Sequence, residues 1–167
     1  MKGLFNIKFV FGILFFALAV FYFVFGYYAE RARVEPKGDN AYEEKGDLIS
    51  ATINDAGILL EIADSQEERV LGLSGRSGLP PGRGLLFIYD KAGYHGIWMK
   101  DMNFAIDIIW LDEDREVVHI KENALPENFP EAYYPNAPAV YVLEVNTEYV
   151  EKTGLEIGNR LDFSTED

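Results

Sequence analysis

The chain of 167 residues contains no cysteine. That excludes a disulfide framework, thiolate zinc sites, a thiol nucleophile and a lipid-bearing N-terminal cysteine. Histidine is almost as scarce, with only His95 and His119, so a histidine-rich metal centre is not expected. Positive charge is short too: 15 Lys and Arg stand against 28 Asp and Glu, for a formal net charge of −13. A surface so acidic repels phosphate backbones, which argues against nucleic-acid binding. The length suits one domain of ordinary size and is short for two. A mean hydropathy of −0.07 looks soluble, but it averages two unlike regions.

From Phe9 to Tyr28 run twenty residues without a charge, FVFGILFFALAVFYFVFGYY. As a helix they would span about 30 Å, the thickness of a bilayer's hydrocarbon core. Tyr27 and Tyr28 close the run, where a ring with a polar tip suits the headgroup layer. A buried core helix seldom runs this long without a polar face. The apolar part of a cleaved signal peptide is normally shorter and ends at a small-x-small site. Residues 9–28 are therefore expected to be an uncleaved transmembrane anchor that makes the lipid bilayer a partner, after a stub of residues 1–8. Lys and Arg counts on either side do not favour a cytoplasmic N-terminus. Long domains translocate largely regardless of charge, however, and a short stub is the easier end to retain. The expected placement is single-pass, with the folded domain outside the cytoplasm. Residues 29–47 (AERARVEPKGDNAYEEKGD) carry dense charge of both signs and too little apolar surface to order themselves. They read as a flexible tether holding the domain about 25 Å from the membrane on average.

Residues 48–163 read mainly as strands. Leu48 to Ile53 and Ile58 to Ala63 are apolar runs around a hairpin turn at Asn54-Asp55-Ala56-Gly57. Ser65 and Glu68 form a capping box for a short helix whose Val70, Leu71 and Leu73 would face the core. Gly84 to Tyr89 and Gly96 to Met102 follow as strands. Ile106 to Leu111 and Val117 to Lys121 make a second hairpin around an acidic turn. Ala139 to Val145 is a strand, Asn146 caps a helical turn that Gly154 ends, and Arg160 to Phe163 is a last short strand. Residues 164–167 form an acidic tail. Many short strands with two short helices predict a mainly β fold, either a β-sandwich of jelly-roll type or a barrel-like domain.

Chemistry-bearing residues are few. Gly72 to Gly84 (GLSGRSGLPPGRG), with Arg69 just before it, reads as a turn-rich connection or as an anion site in which Arg69 and Arg76 grip a carboxylate or phosphate. It has neither the Lys-Ser/Thr of a P-loop nor the last glycine of a serine-hydrolase elbow. In YHGIWMKDM, strand alternation sets Trp98 and Lys100 on one face and Asp101 on the other. Trp98 is expected in the core, with a sugar-stacking platform beside Lys100 as the rival. Asp107 lies on the same face as Ile109 and Leu111, so its carboxylate needs donors, which Lys100, Arg69 or Arg76 could supply. Glu144, in YVLEV, is the candidate second acid if Asp107 is catalytic. The histidines lack a second ligand at metal spacing, and Asp112-Glu113-Asp114 lacks the remainder of a calcium loop. No metal and no cofactor are expected.

The segments ERVLGLSGR, GRGLLFIYD, IWMKDMNFAIDIIWLDEDREVVHI, APAVYVLEVN and GLEIGNRLDF, in that order, resemble the uncharacterised family called domain of unknown function 192, from about Asp47 to Phe163. The resemblance implies a compact, mainly β domain that often follows a signal peptide or anchor; it implies no activity. It assigns Arg69, Gly72 and Arg76 to the family's Arg-Gly-Arg segment and Trp98, Met99 and Lys100 to its Trp-Met-Lys motif. Asp107 fills its strand carboxylate and Glu144 its Leu-Glu pair. Asp101-Met102 stand where the family has Asn-Thr, and Arg115 takes a turn glycine position, which implies a wider turn or a strained backbone there.

The functional expectation is a membrane-anchored, non-catalytic module that binds an envelope glycan, a small anionic ligand or a protein partner. Its candidate ligand-binding residues are Arg69, Arg76, Trp98, Lys100, Asp101, Asp107 and Glu144. The alternative is a hydrolase or lyase using Asp107 and Glu144, with Lys100 or Arg76 stabilising charge.

Overall fold

The computed structural model describes residues 48–164. The expected stub, anchor over 9–28 and tether over 29–47 lie outside the described residues, as do the last three residues of the tail. Among the described residues no helix is long and apolar enough to cross a membrane.

The first hairpin forms where expected. Strands β1 (Ile49–Ile53) and β2 (Ala56–Ala63) pair antiparallel around Asn54 and Asp55, whose φ values of 47° and 61° make the two-residue turn that matches strand twist. Next comes helix α1 (Gln66–Leu71). Ser65 accepts from the Glu68 amide and Glu68 reaches back to the Ser65 amide, so both halves of the capping box are present. Strand β3 (Arg83–Gly93) then pairs parallel with β2, so residues 64–82 are the crossover that parallel pairing requires.

The remaining strands are β4 (Ile97–Trp98), β5 (Ile106–Leu111), β6 (Val117–Ala124), β7 (Ala132–Tyr133), β8 (Ala139–Asn146) and β9 (Leu161–Phe163). Helix α2 (Tyr149–Thr153) precedes β9 and ends at Gly154, whose φ of 62° suits a residue without a Cβ. Seven strands form one sheet in the order β6-β5-β8-β3-β2-β1-β9, while β4 and β7 form a separate ribbon. Two facing sheets are absent from the described residues, so the barrel-like alternative replaces the sandwich. The sheet curls far enough for its edges to meet at one corner, where Glu116 bridges Arg160 and the Val117 amide donates to Asn159 at 2.8 Å. Arg115 clasps this corner, donating to the Phe163 carbonyl at 2.7 Å with its guanidinium 4.1 Å from the Phe163 ring centroid. Its φ of 65° is the strained turn that the missing glycine implied. Joining the edges pairs backbone groups that would otherwise invite association.

Both faces of the sheet are covered. One carries Ile53, Leu60, Leu86, Ile109 and Leu143 beneath Val150 of α2. The other carries Leu85, Phe87, Ile108, Trp110 and Val142, covered by Leu73 and Leu79 of the crossover and by Ile97 and Met99. All six residues of β5 are consequently buried.

Three local expectations are corrected. Val70 and Leu71 do not face the core; they are 64% and 46% exposed, and only Leu73 packs inward. The strand expected over Gly96 to Met102 lasts two residues, because Asp101 adopts φ 54° and the Met102 amide turns back to the Met99 carbonyl. Asn146 does not cap α2; its amide donates to the Leu79 carbonyl at 2.9 Å, and Glu148 occupies the cap position without a side-chain bond to the helix amides, pairing with Lys152 at 2.7 Å instead.

Candidate functional site

Strand alternation decides which acids can meet. In β8, Val142 and Glu144 face the Trp110 cluster while Leu143 and Val145 face the opposite core. Register places Glu61 beside Leu85, Leu85 beside Glu144 and Glu144 beside Ile108, so these four residues form a row across one face. Glu144 is 5% exposed, and its Oε2 has no hydrogen-bond partner among the described residues. Burial pushes its carboxyl up to about 8, against the opposing pull of the Arg76 guanidinium. It is therefore mainly a neutral acid at neutral pH. Arg76 itself grips Glu61 with two bonds of 3.0 and 2.9 Å.

Glu144 lines a small cavity of about 60 Å³, room for a few waters or one small polar group. Gly72, Leu73, Phe87 and Ile97 make its walls; Tyr89, Trp98, Met102, Val70 and Leu71 also border it. Gly72 suits a glycine because its φ is 51°, strained for any side chain; a Cβ there would meet the Phe87 ring at 3.4 Å and Glu144 Oε2 at 3.9 Å, ordinary contact distances. Tyr89 stacks on His95 with ring centroids 3.5 Å apart, and the Arg69 guanidinium lies 5.1 Å from its ring centroid. Burial raises the Tyr89 hydroxyl's pKa, with Arg69 pulling the other way. Arg69 also donates to the carbonyls of Asp64 and Ile88.

Trp98 is not in the core. It is 48% exposed at the pocket's edge, with Lys100 Nζ 5.7 Å from its ring centroid and Phe129 edge-on at 5.9 Å. The turn carrying Lys100 and Asp101 is stitched to the crossover, since Ser74 donates to the Lys100 carbonyl and the Gly75 amide to the Asp101 carbonyl. Lys100 and Asp101 border a second, open groove of about 530 Å³ along α1 with Val70 and Leu71.

Asp107 lies on the far side of the sheet. Neither Lys100, Arg69 nor Arg76 satisfies it. Its two oxygens accept the backbone amides of Asn123 at 2.9 Å and Val150 at 3.1 Å, which caps α2 from across the fold. The expected pairing with Lys100 is thus corrected, and Asp107 does not meet Glu144. His119 lies against Trp110 with its pKa lowered by burial. Asp112 accepts the Asp114 and Glu116 amides in a tight turn. Among the described residues, no group of three His, Asp or Glu gathers in a way that would hold a metal ion.

The structure therefore brings together Glu144, Trp98, Arg69 and, through Glu61, Arg76. Lys100 and Asp101 stand at the edge, and Asp107 is separate. Glu61 and Tyr89 were missed. Glu61 carried a legible signal, an acid inside the apolar run ILLEIA as Glu144 is inside YVLEV. Tyr89 carried none beyond its place at the end of an apolar strand.

The comparisons with known proteins agree with this architecture. A protein of Sinorhizobium meliloti described as a candidate transcription regulator superposes with a TM-score of 0.68 at 26% identity, over 72% of this chain and 97% of its own. A Novosphingobium aromaticivorans protein of unknown function gives 0.66 at 22% identity, over 74% and 94%, and supports the fold alone. A UPF0127 protein of Pyrococcus furiosus is 32% identical over 112 residues, 64% of this chain and 88% of its own length. A UPF0127 protein of Thermococcus sibiricus is 37% identical over 71 residues, 42% and 44% of the two chains. The profile of the family DUF192, described as an uncharacterized ACR, matches residues 49–163, nearly the whole described domain. The chain belongs to the DUF192 family.

Proposed function

We propose that the domain is a non-catalytic binding module, held at the outer face of a membrane by residues 9–28, whose ligand is a glycan that places a hydroxyl against Glu144. One observation carries the reading: a buried carboxyl oxygen with no hydrogen-bond partner among the described residues lies at a pocket whose edge is a half-exposed tryptophan. A neutral carboxyl both donates and accepts, as a sugar hydroxyl does. Trp98 offers a flat apolar ring for the sugar's C–H face. An anion fits less well, because it would meet the Glu144 oxygens while Arg76 is bound to Glu61 and Arg69 to backbone carbonyls. Acid–base chemistry normally needs a second, separately tuned group, and Asp107 stands on the other face. The regulator description belongs to the Sinorhizobium protein; with a net charge of −13, this chain is poorly suited to nucleic acid.

The test is a glycan array probed with full-length protein in detergent, alongside Trp98→Ala and Glu144→Leu, which removes both the donor and the acceptor. Glycans should be retained by the natural protein and released by both variants while each still unfolds cooperatively. An array without a retained glycan, or equal retention by both variants, would overturn the reading.

A further inference from the structure

Five large apolar side chains, each more than two-fifths exposed, gather around the pocket: Val70, Leu71, Trp98, Phe129 and Tyr134. They form one patch. Val70, Leu71 and Trp98 border the same cavity, Phe129 packs edge-on against Trp98, and the Tyr134 ring lies so close to Gly96 that a Cβ there would be 2.5 Å from it. Isolated exposed apolar residues are ordinary, but a contiguous patch of this kind marks an interaction surface. Its composition is specific. Trp98 stands beside Lys100, whose ammonium lies 5.7 Å from the ring centroid; amphipathic rings with a neighbouring Lys are the residues that settle at the water–lipid boundary.

We infer that this patch docks the domain on the headgroup layer of a lipid bilayer. The sequence supplies the reach. Only residues 29–48 separate the uncharged run Phe9 to Tyr28 from β1, a length of chain that reaches at most about 70 Å even fully extended. A short tether raises the effective concentration of the second contact to about the millimolar range, so an affinity too weak for a free protein suffices for a tethered one. The acidic remainder of the surface favours a zwitterionic membrane over an anionic one. The inference rests on the membrane placement proposed above but not on the glycan, because docking uses the exposed rings and not the Glu144 carboxyl.

Trp98 supplies its own reporter. The chain has two tryptophans; Trp110 is fully buried, and residues 1–47 contain none. Full-length protein would be reconstituted into phosphatidylcholine vesicles carrying bromine shallow in the acyl chains, with Trp98→Phe as the background from Trp110. The expected result is loss of the Trp98 emission together with a blue shift. Replacing the exposed pair by Val70→Ser and Leu71→Ser should restore the emission. Trp98 emission unaffected by bromine overturns the inference, whether the protein floats with the vesicles or not. Emission that shifts with protein concentration but not with bromine overturns it in favour of a second copy of the chain. A glycan array without hits leaves the quenching result unaltered, so the two readings fail separately.

Discussion

Asp107 and Glu144 sit on adjacent strands yet face opposite sides of the sheet, Asp107 opposite Val145 and Glu144 opposite Ile108. The two buried acids therefore do different work. Asp107 is held by two backbone amides and joins β5 to α2 and the end of β6. Glu144 is held apart from donors at Oε2 and borders the cavity.

Asp107→Asn is expected to destabilise the fold without touching the pocket. The carboxamide keeps one acceptor and turns an NH₂ toward an amide donor, leaving a buried N–H unsatisfied at roughly 1–3 kcal/mol. Urea unfolding should show the loss, while the pH dependence assigned to Glu144 remains.

Stability should fall as pH rises through the neutral range, and Glu144 should be the cause. Its folded carboxyl titrates near 8, against an ordinary value of 4.5. Between those values the folded state binds more protons than the unfolded one, so stability is full below the lower value and declines up to the higher. The slope approaches about 1.4 kcal/mol per pH unit in the middle of the window. Denaturation at several pH values should show this slope in the natural protein relative to Glu144→Gln, which has no proton to lose.

Arg76→Leu should be among the most damaging substitutions. It removes the guanidinium that holds both oxygens of the buried Glu61 side chain, a loss of roughly 3–5 kcal/mol. Adding Glu61→Gln should recover part of that loss in the same urea experiment. Removing Arg76 also deletes the cation that opposes burial, so the Glu144 titration should move higher still.

Trp98→Ala should leave stability nearly unchanged, within about 1 kcal/mol, because the ring is half-exposed and not enclosed by core. Its effect should appear in ligand retention instead. A large drop in the unfolding midpoint would instead mean that the ring packs as core.

Much of the scaffold was legible because its signals are local. The Asn54-Asp55 turn, the Ser65–Glu68 capping box and the Gly154 terminator each act within a few residues, and each formed where the pattern placed it. Alternation also marked Asp107 as an acid on an apolar face, while Glu144 stood out only as its candidate partner. What it could not supply was the third dimension. The amides that satisfy Asp107 come from positions 16 and 43 residues away, and no spacing rule reaches that far. Trp98 and Val70 were misplaced for a related reason. A two-residue strand and a six-residue helix are too short for periodicity to fix which face turns inward, and the turn at Asp101 breaks the alternation that assigned the Trp98 face.

The account rests on Glu144 standing as a neutral acid beside an accessible cavity. The most direct measurement is the side-chain carboxyl ¹³C shift of Glu144 in full-length labelled protein, followed through a pH titration and assigned with Glu144→Gln. The account predicts a midpoint at about 8. A midpoint in the ordinary carboxylate range near 4.5 would contradict it, because the group would then be solvated or paired and the pocket would have no neutral acid to offer a ligand.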